Sequence, residues 1–115
     1  MNEINETTKN EPDAGDVLAT LEITKVEPRT GVPGTWVTGA IGGHRFEALV
    51  FPEHAAVPDY ELGDSRISKL SLRRIKDRAM VANFDRGWDV NPTTPIAAQI
   101  VDLLAAGLAE RTFGA

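Results

Sequence analysis

Six cations crowd the middle of the chain, Arg66, Lys69, Arg73, Arg74, Lys76 and Arg78, and Arg86 follows with Phe84 and Trp88 beside it. Guanidinium and ammonium groups bind carboxylates and phosphates, and neighbouring aromatic rings stack on bases or anchor a protein contact. If this segment is extended, Lys69, Ser71 and Arg73 share one face, because side chains alternate along a strand. That face is a candidate binding surface. The same pattern also describes an edge strand whose charges discourage aggregation, with Asp77, Asp85 and Asp89 at hand as neutralising partners.

Catalytic sets are harder to assemble. The two histidines are His44 and His54. His44 adjoins a Gly-Gly turn and reads as an ordinary strand residue. His54 stands near Asp59, Glu61 and Asp64, and an imidazole with carboxylates can hold a transition metal. The spacing matches no metal template, and a solvated loop is the simpler account. Ser65, Ser68 and Ser71 lack the strand-turn-helix setting of a nucleophile elbow. Asp85 and Asp89 suit bonding to turn amides better than acid–base work. Gly39-Ala40-Ile41-Gly42-Gly43 lacks the lysine-serine that completes a phosphate loop. Without cysteine there is no disulfide framework and no thiolate chemistry. The expectation is a protein that is not an enzyme and uses no metal or cofactor.

These groups need a scaffold, and one hairpin defines it. Gly42-Gly43 tolerates the positive φ of a two-residue type I′ turn. Such a turn sets Ile41 opposite His44, Gly39 opposite Phe46, Val37 opposite Ala48 and Thr35 opposite Val50 on one mostly apolar face. Ala40 with Arg45, Thr38 with Glu47, and Trp36 with Leu49 take the other face. The Phe46 ring can cover the bare backbone of Gly39. Upstream, residues 17–26 are β-prone and predict a strand, with a short helix as the alternative. Downstream, Pro52 ends the hairpin. Residues 52–65 make a long loop, of a kind that is often functional in a compact domain. Residues 66–74 and 79–84 predict two more strands, followed by a turn over 85–89. Thr94 before Pro95 predicts a helix start, a capping hydroxyl ahead of proline at the first helical position. Ile96, Ile100, Leu103, Leu104, Gly107 and Leu108 then form one apolar stripe. The fold class is α+β: an antiparallel sheet of four to five strands, built from two consecutive hairpins, with one C-terminal helix packed on one face.

Charge divides the chain unevenly. Of a net charge of −5, all is accounted for by residues 1–27, which hold seven acids and two lysines. The remainder is balanced, which argues against a strong electrostatic footprint for nucleic acid. Residues 1–16 are expected to be a disordered acidic tail and residues 17–115 a single domain with its core over 34–110. No apolar run approaches a membrane span, and the N-terminus is not a basic-then-apolar signal. Together with the missing cysteines this suits a reducing cytoplasm.

The Gly63-Asp64-Ser65-Arg66-Ile67-Ser68-Lys69-Leu70 segment is followed by Phe84-Asp85-Arg86-Gly87-Trp88-Asp89. With the preceding Trp36…Gly39…Ile41-Gly42-Gly43…Phe46…Ala48…Phe51 pattern, it resembles a small uncharacterised bacterial domain family of plasmids and phages, over roughly residues 34–110. The resemblance assigns no activity, cofactor or role to any residue. It implies a mobile-element setting, where small inhibitors and accessory proteins are common. The resulting expectation is a cytoplasmic binding protein acting by protein–protein contact, such as a phage- or plasmid-encoded accessory factor or an inhibitor of a host defence system. The expected contact residues are Arg66, Lys69, Arg73, Arg86 and Trp88. The alternative is a nucleic-acid-binding module using the two basic strands. A homodimer formed through an exposed edge at either of those strands is compatible with both.

Overall fold

The computed structural model describes residues 13–114. In chain order it contains α1 (Ala14–Leu18), β1 (Glu22–Pro28), β2 (Thr35–Ile41), β3 (His44–Val50), a 3-10 turn at Pro58–Tyr60, β4 (Ile67–Arg74), β5 (Met80–Asp85), β6 (Trp88–Val90) and α2 (Pro95–Phe113). The Gly-Gly turn sets the register. Gly42 and Gly43 have φ of 55° and 75°, as a type I′ turn demands. Ile41 therefore pairs with His44, and the ladder runs to Thr35 opposite Val50, as the glycine pair predicts. All six strands follow in sequence order, each antiparallel to the next.

One face of the sheet carries Val37, Ile41, Phe46, Ala48, Val50, Leu70, Leu72 and Phe84, all buried. The helix α2 closes it with Ala97, Ile100, Val101, Leu104 and Leu108. Phe46, Leu70, Leu72, Ile100 and Leu104 are essentially inaccessible. Burying such side chains contributes about 1.5–3 kcal/mol each, so this layer supplies most of the drive to fold. The helix starts where the sequence predicts: Thr94 Oγ1 accepts a hydrogen bond from the Ala97 amide at 3.1 Å, with Pro95 next in line. Gly107 lies inside the helix, which ends instead at Gly114 with φ 76°. No helix of the described residues is long and apolar enough to cross a membrane.

Three expectations need correction. The sheet has six strands rather than four to five, because residues 85–89 are not only a turn. Arg86 and Gly87 reverse the chain with positive φ, and Trp88 then returns as β6, pairing with Phe84. Residues 17–26 are split rather than uniform: Val17, which is buried, and Leu18 form the end of α1, and the strand begins at Glu22. Thr20 fastens α1 to the hairpin, since its Oγ1 accepts from the Gly42 amide at 2.7 Å and donates to the Val17 carbonyl. The expected disordered tail falls, for residues 1–12, outside the described residues, while Ala14, Gly15 and Asp16 belong to α1.

The third correction concerns edges. The basic strand β4 lies between β3 and β5, and β5 lies between β4 and β6. The backbone of β4 is paired on both sides, and that of β5 is paired with β4 and, at Asn83 and Phe84, with β6, so the outer strands of the sheet are β1 and β6 rather than these two. The charges on β4 are not edge protection either. Lys69 and Arg73 stand on the sheet face that α2 leaves uncovered, while Arg74, at the end of the strand, alternates to the other face.

Candidate functional site

The long loop after β3 is closed by one carboxylate. Glu61 Oε1 accepts from the Ala55 amide at 2.7 Å, and Oε2 accepts from the Arg66 amide and from His54 Nδ1, both at 2.7 Å. Its side chain is only 4 % exposed. Burial pushes the Glu61 pKa up, but the Ala55 amide, His54 and the Arg66 amide together hold it below its ordinary value. The loop ends are stitched to the sheet by the Phe51 amide on the Arg66 carbonyl and the Leu62 amide on the Ile67 carbonyl, both at 2.8 Å. Ser65 Oγ accepts from the Ile67 amide, so this buried hydroxyl shapes a turn.

Arg66 is left-handed, with φ 65°. Its Nη1 donates to the Pro52 carbonyl at 2.9 Å and its Nη2 to Glu110 Oε2 at 3.4 Å, which ties the loop to α2. The loop so fixed walls a cleft of about 330 Å³. Pro33, Phe51, Pro52 and Tyr60 give it apolar sides, and Glu61, His54, Ser68 and Arg86 supply its polar groups. Arg29 stacks 5.6 Å from the Phe51 ring centre, and Arg86 lies 6.0 Å from that of Tyr60. Arg86 is also left-handed, at φ 56°, its amide donating to the Ser68 carbonyl at 2.9 Å.

A family model for a domain of unknown function, DUF7678, matches residues 35–109. The chain belongs to the DUF7678 family. The DUF7678 match opens at the first residue of β2 and closes within α2, so it takes in every residue lining the cleft except Pro33. The strand β1 and helix α1 lie outside it. No curated protein and no solved structure matches the chain.

Within this DUF7678 domain the five expected contact residues do not form one surface. Arg66 and Arg86 line the cleft. Lys69 and Arg73 stand on the uncovered sheet face, where Lys69 lies 3.8 Å from the same Asp85 oxygen that Arg86 approaches at 3.6 Å, so that Lys69 borders the cleft and Arg73 does not. Trp88, 40 % exposed on the edge strand β6, packs edge-on against Phe84 with ring centres 5.2 Å apart. It is half anchor and half surface, and it lies outside the cleft.

His54 is better placed than a solvated loop suggests. Its Nδ1 donates to the Glu61 carboxylate, and that bond fixes the ring's orientation in the cleft wall. As a metal site the set fits poorly. Ligand atoms of His54, Glu61 and Asp64 lie within 4.8 Å of one another. The Glu61 oxygens, however, already receive three N–H bonds, and a cation would face a donor proton on Nδ1. What sequence reasoning missed is the wall of Phe51, Pro52 and Tyr60 and the closing role of Glu61. The available signal was the loop's length.

Proposed function

We propose that the domain is a non-enzymatic binding module, and that it takes up a segment of a protein partner in this cleft. An apolar side chain of the partner enters between Phe51, Pro52 and Tyr60, and an acidic group meets Arg86 at the rim. The observation that carries this reading is a fixed apolar cleft with a cation held beside it in a left-handed backbone. Small apolar clefts with a few convergent polar groups are the usual form of a binding site. Tyr60 is 49 % exposed, and Tyr and Arg are among the residue types enriched where binding energy concentrates. Arg86 has one carboxylate near it, its neighbour Asp85 at 3.6 Å, and an exposed pair of that kind contributes little. An incoming carboxylate can therefore displace it.

Arg86→Gly separates binding from folding. An arginine at φ 56° bears a steric cost that glycine lacks, so the variant should be as stable as wild type or gain up to about 1 kcal/mol. It should lose the partner. The measurement is capture from nuclease-treated native-host lysate by wild type, Arg86→Gly, Tyr60→Ala and the uncovered-face control Arg73→Ala, with thermal melts alongside. Wild type and Arg73→Ala should retain the same protein and the two cleft variants should not. Equal retention by all four would overturn the assignment.

A further inference from the structure

We propose a second binding site, independent of the cleft, where Arg45, Arg73 and Arg78 meet at the β4–β5 end of the uncovered face. Its ligand is a small molecule carrying a phosphate or pyrophosphate group. Arg45 and Arg73 sit directly opposite each other on β3 and β4. Like charges in that position repel and destabilise a sheet. Together with Arg74, Ile75 and Arg78 they surround a depression of about 470 Å³ that shares no residue with the cleft.

The acid next to this depression is already committed. Asp77 is bonded twice to Arg74, at 3.0 and 2.9 Å. Among the described residues, no carboxylate forms an ion pair with Arg45, Arg73 or Arg78. Three uncompensated guanidinium groups therefore converge on one corner, and a tetrahedral oxyanion accepts from such groups in bidentate fashion.

Backbone geometry supports the same conclusion. Arg78 has φ 63°, a conformation that glycine adopts at no steric cost. Its amide bonds the Arg74 carbonyl at 2.7 Å, and its own carbonyl accepts from Arg73 Nη1 at 3.3 Å. The turn thus carries a strained residue that aligns a second arginine. Strain of this type concentrates at ligand sites. The ligand is a discrete anion rather than a nucleic-acid backbone, because the charge does not continue along the face. The next row toward the other end holds Thr38, Glu47, Ser71 and Asn83, an acid and no cation, and beyond it Lys69 and Arg86 share Asp85. A polymer of phosphates needs a track of cations.

The test is an amide-resolved NMR titration of the full chain with inorganic pyrophosphate at constant ionic strength, repeated with a nucleoside monophosphate and with oligothymidylate. Saturable shifts are expected at residues 45, 73–75 and 78 with the first two probes. Arg45→Ser with Arg78→Gly removes a like-charge pair and a strained φ, so this variant should melt no earlier than wild type. Its affinity should fall by about tenfold or more, the scale of losing charge-assisted hydrogen bonds. Absence of saturable shifts at these residues, or an unchanged affinity in the variant, would overturn the site. Oligothymidylate binding far tighter than pyrophosphate, with shifts spreading to Ser71 and Asn83, would overturn the discrete ligand in favour of a nucleic-acid strand.

Discussion

Glu61→Ala should destabilise the domain by about 3 kcal/mol, since each buried amide left without a partner costs about 1–3 kcal/mol. The Ala55 and Arg66 amides both donate to this carboxylate, as does His54. The Arg66 amide belongs to a left-handed residue, so its hydrogen bond also offsets backbone strain. Without it the loop loses the side chain that gathers His54, Ala55 and Arg66, and the cleft loses one of its polar lining groups. Glu61→Gln keeps one acceptor oxygen and should fall between wild type and alanine. The check is chemical denaturation of all three proteins with a common slope. An alanine variant within about 0.5 kcal/mol of wild type, the range of an ordinary surface change, would show that Glu61 does not close the loop.

The same carboxylate gives a pH signature. A carboxyl whose folded pKa lies below its unfolded value adds stability wherever the pH exceeds the unfolded value, and that stability is withdrawn as the pH falls through the folded pKa. Glu61 is of this kind, measured against an ordinary value of 4.5. Asp77 is too, but its bonds to Arg74 hold its pKa down to about 2 from 3.8, so its contribution is lost at lower pH. The stability of the wild type should therefore start to decline just below pH 4.5. In Glu61→Gln that upper part of the loss should be absent and the part belonging to Asp77 should remain. An unaltered acid profile in the glutamine variant would contradict the assignment.

The legible and illegible parts of this molecule differ in the range of the interactions that make them. The β2–β3 register follows from two adjacent glycines, and the start of α2 follows from Thr94-Pro95. Both are local rules, and both hold. The sixth strand was hidden because three residues after a tight Arg86-Gly87 reversal carry no alternation worth reading. Their pairing is decided by Phe84, which offers Trp88 a ring to pack on. The cleft was hidden for a stronger reason. Phe51, Tyr60 and Arg86 are far apart in sequence, and the bond that gathers the loop is a buried glutamate accepting backbone amides, which no spacing reveals. Positive φ at Arg66, Arg78 and Arg86 is likewise invisible in a sequence that shows arginine where glycine is the natural marker. The basic segment was visible as charge, but its location on a central strand was not. That location is what separates Arg66 and Arg86 from Arg73.

Gly39→Val should be the most damaging change in the sheet outside the large core side chains, costing about 3 kcal/mol or more as overpacking that nothing can relieve. A Cβ at this position would stand 2.4 Å from the Glu22 carbonyl oxygen and 2.8 Å from two ring atoms of Phe46. The Phe46 ring is fully buried and has nowhere to swing. Glu22 cannot withdraw without loosening β1, whose Ile23 pairs with Gly39 just before the register shift. Gly39 has no unusual φ, so the cost is purely one of space. The glycine is there because an aromatic side chain and a neighbouring strand both approach the bare backbone, the arrangement expected where a ring covers a strand glycine. Alanine should already cost about 2 kcal/mol, since even one methyl overlaps both neighbours. Gly107→Ala in α2 supplies the contrast: a Cβ there meets nothing within 4 Å, and the higher helix propensity of alanine should stabilise by up to about 1 kcal/mol. Denaturant midpoints for the three variants test the point directly. If Gly39→Val unfolds at the wild-type midpoint, then β1 is not held against β2 at this distance, and the pairing of the edge strand must be looser than its hydrogen-bond register implies.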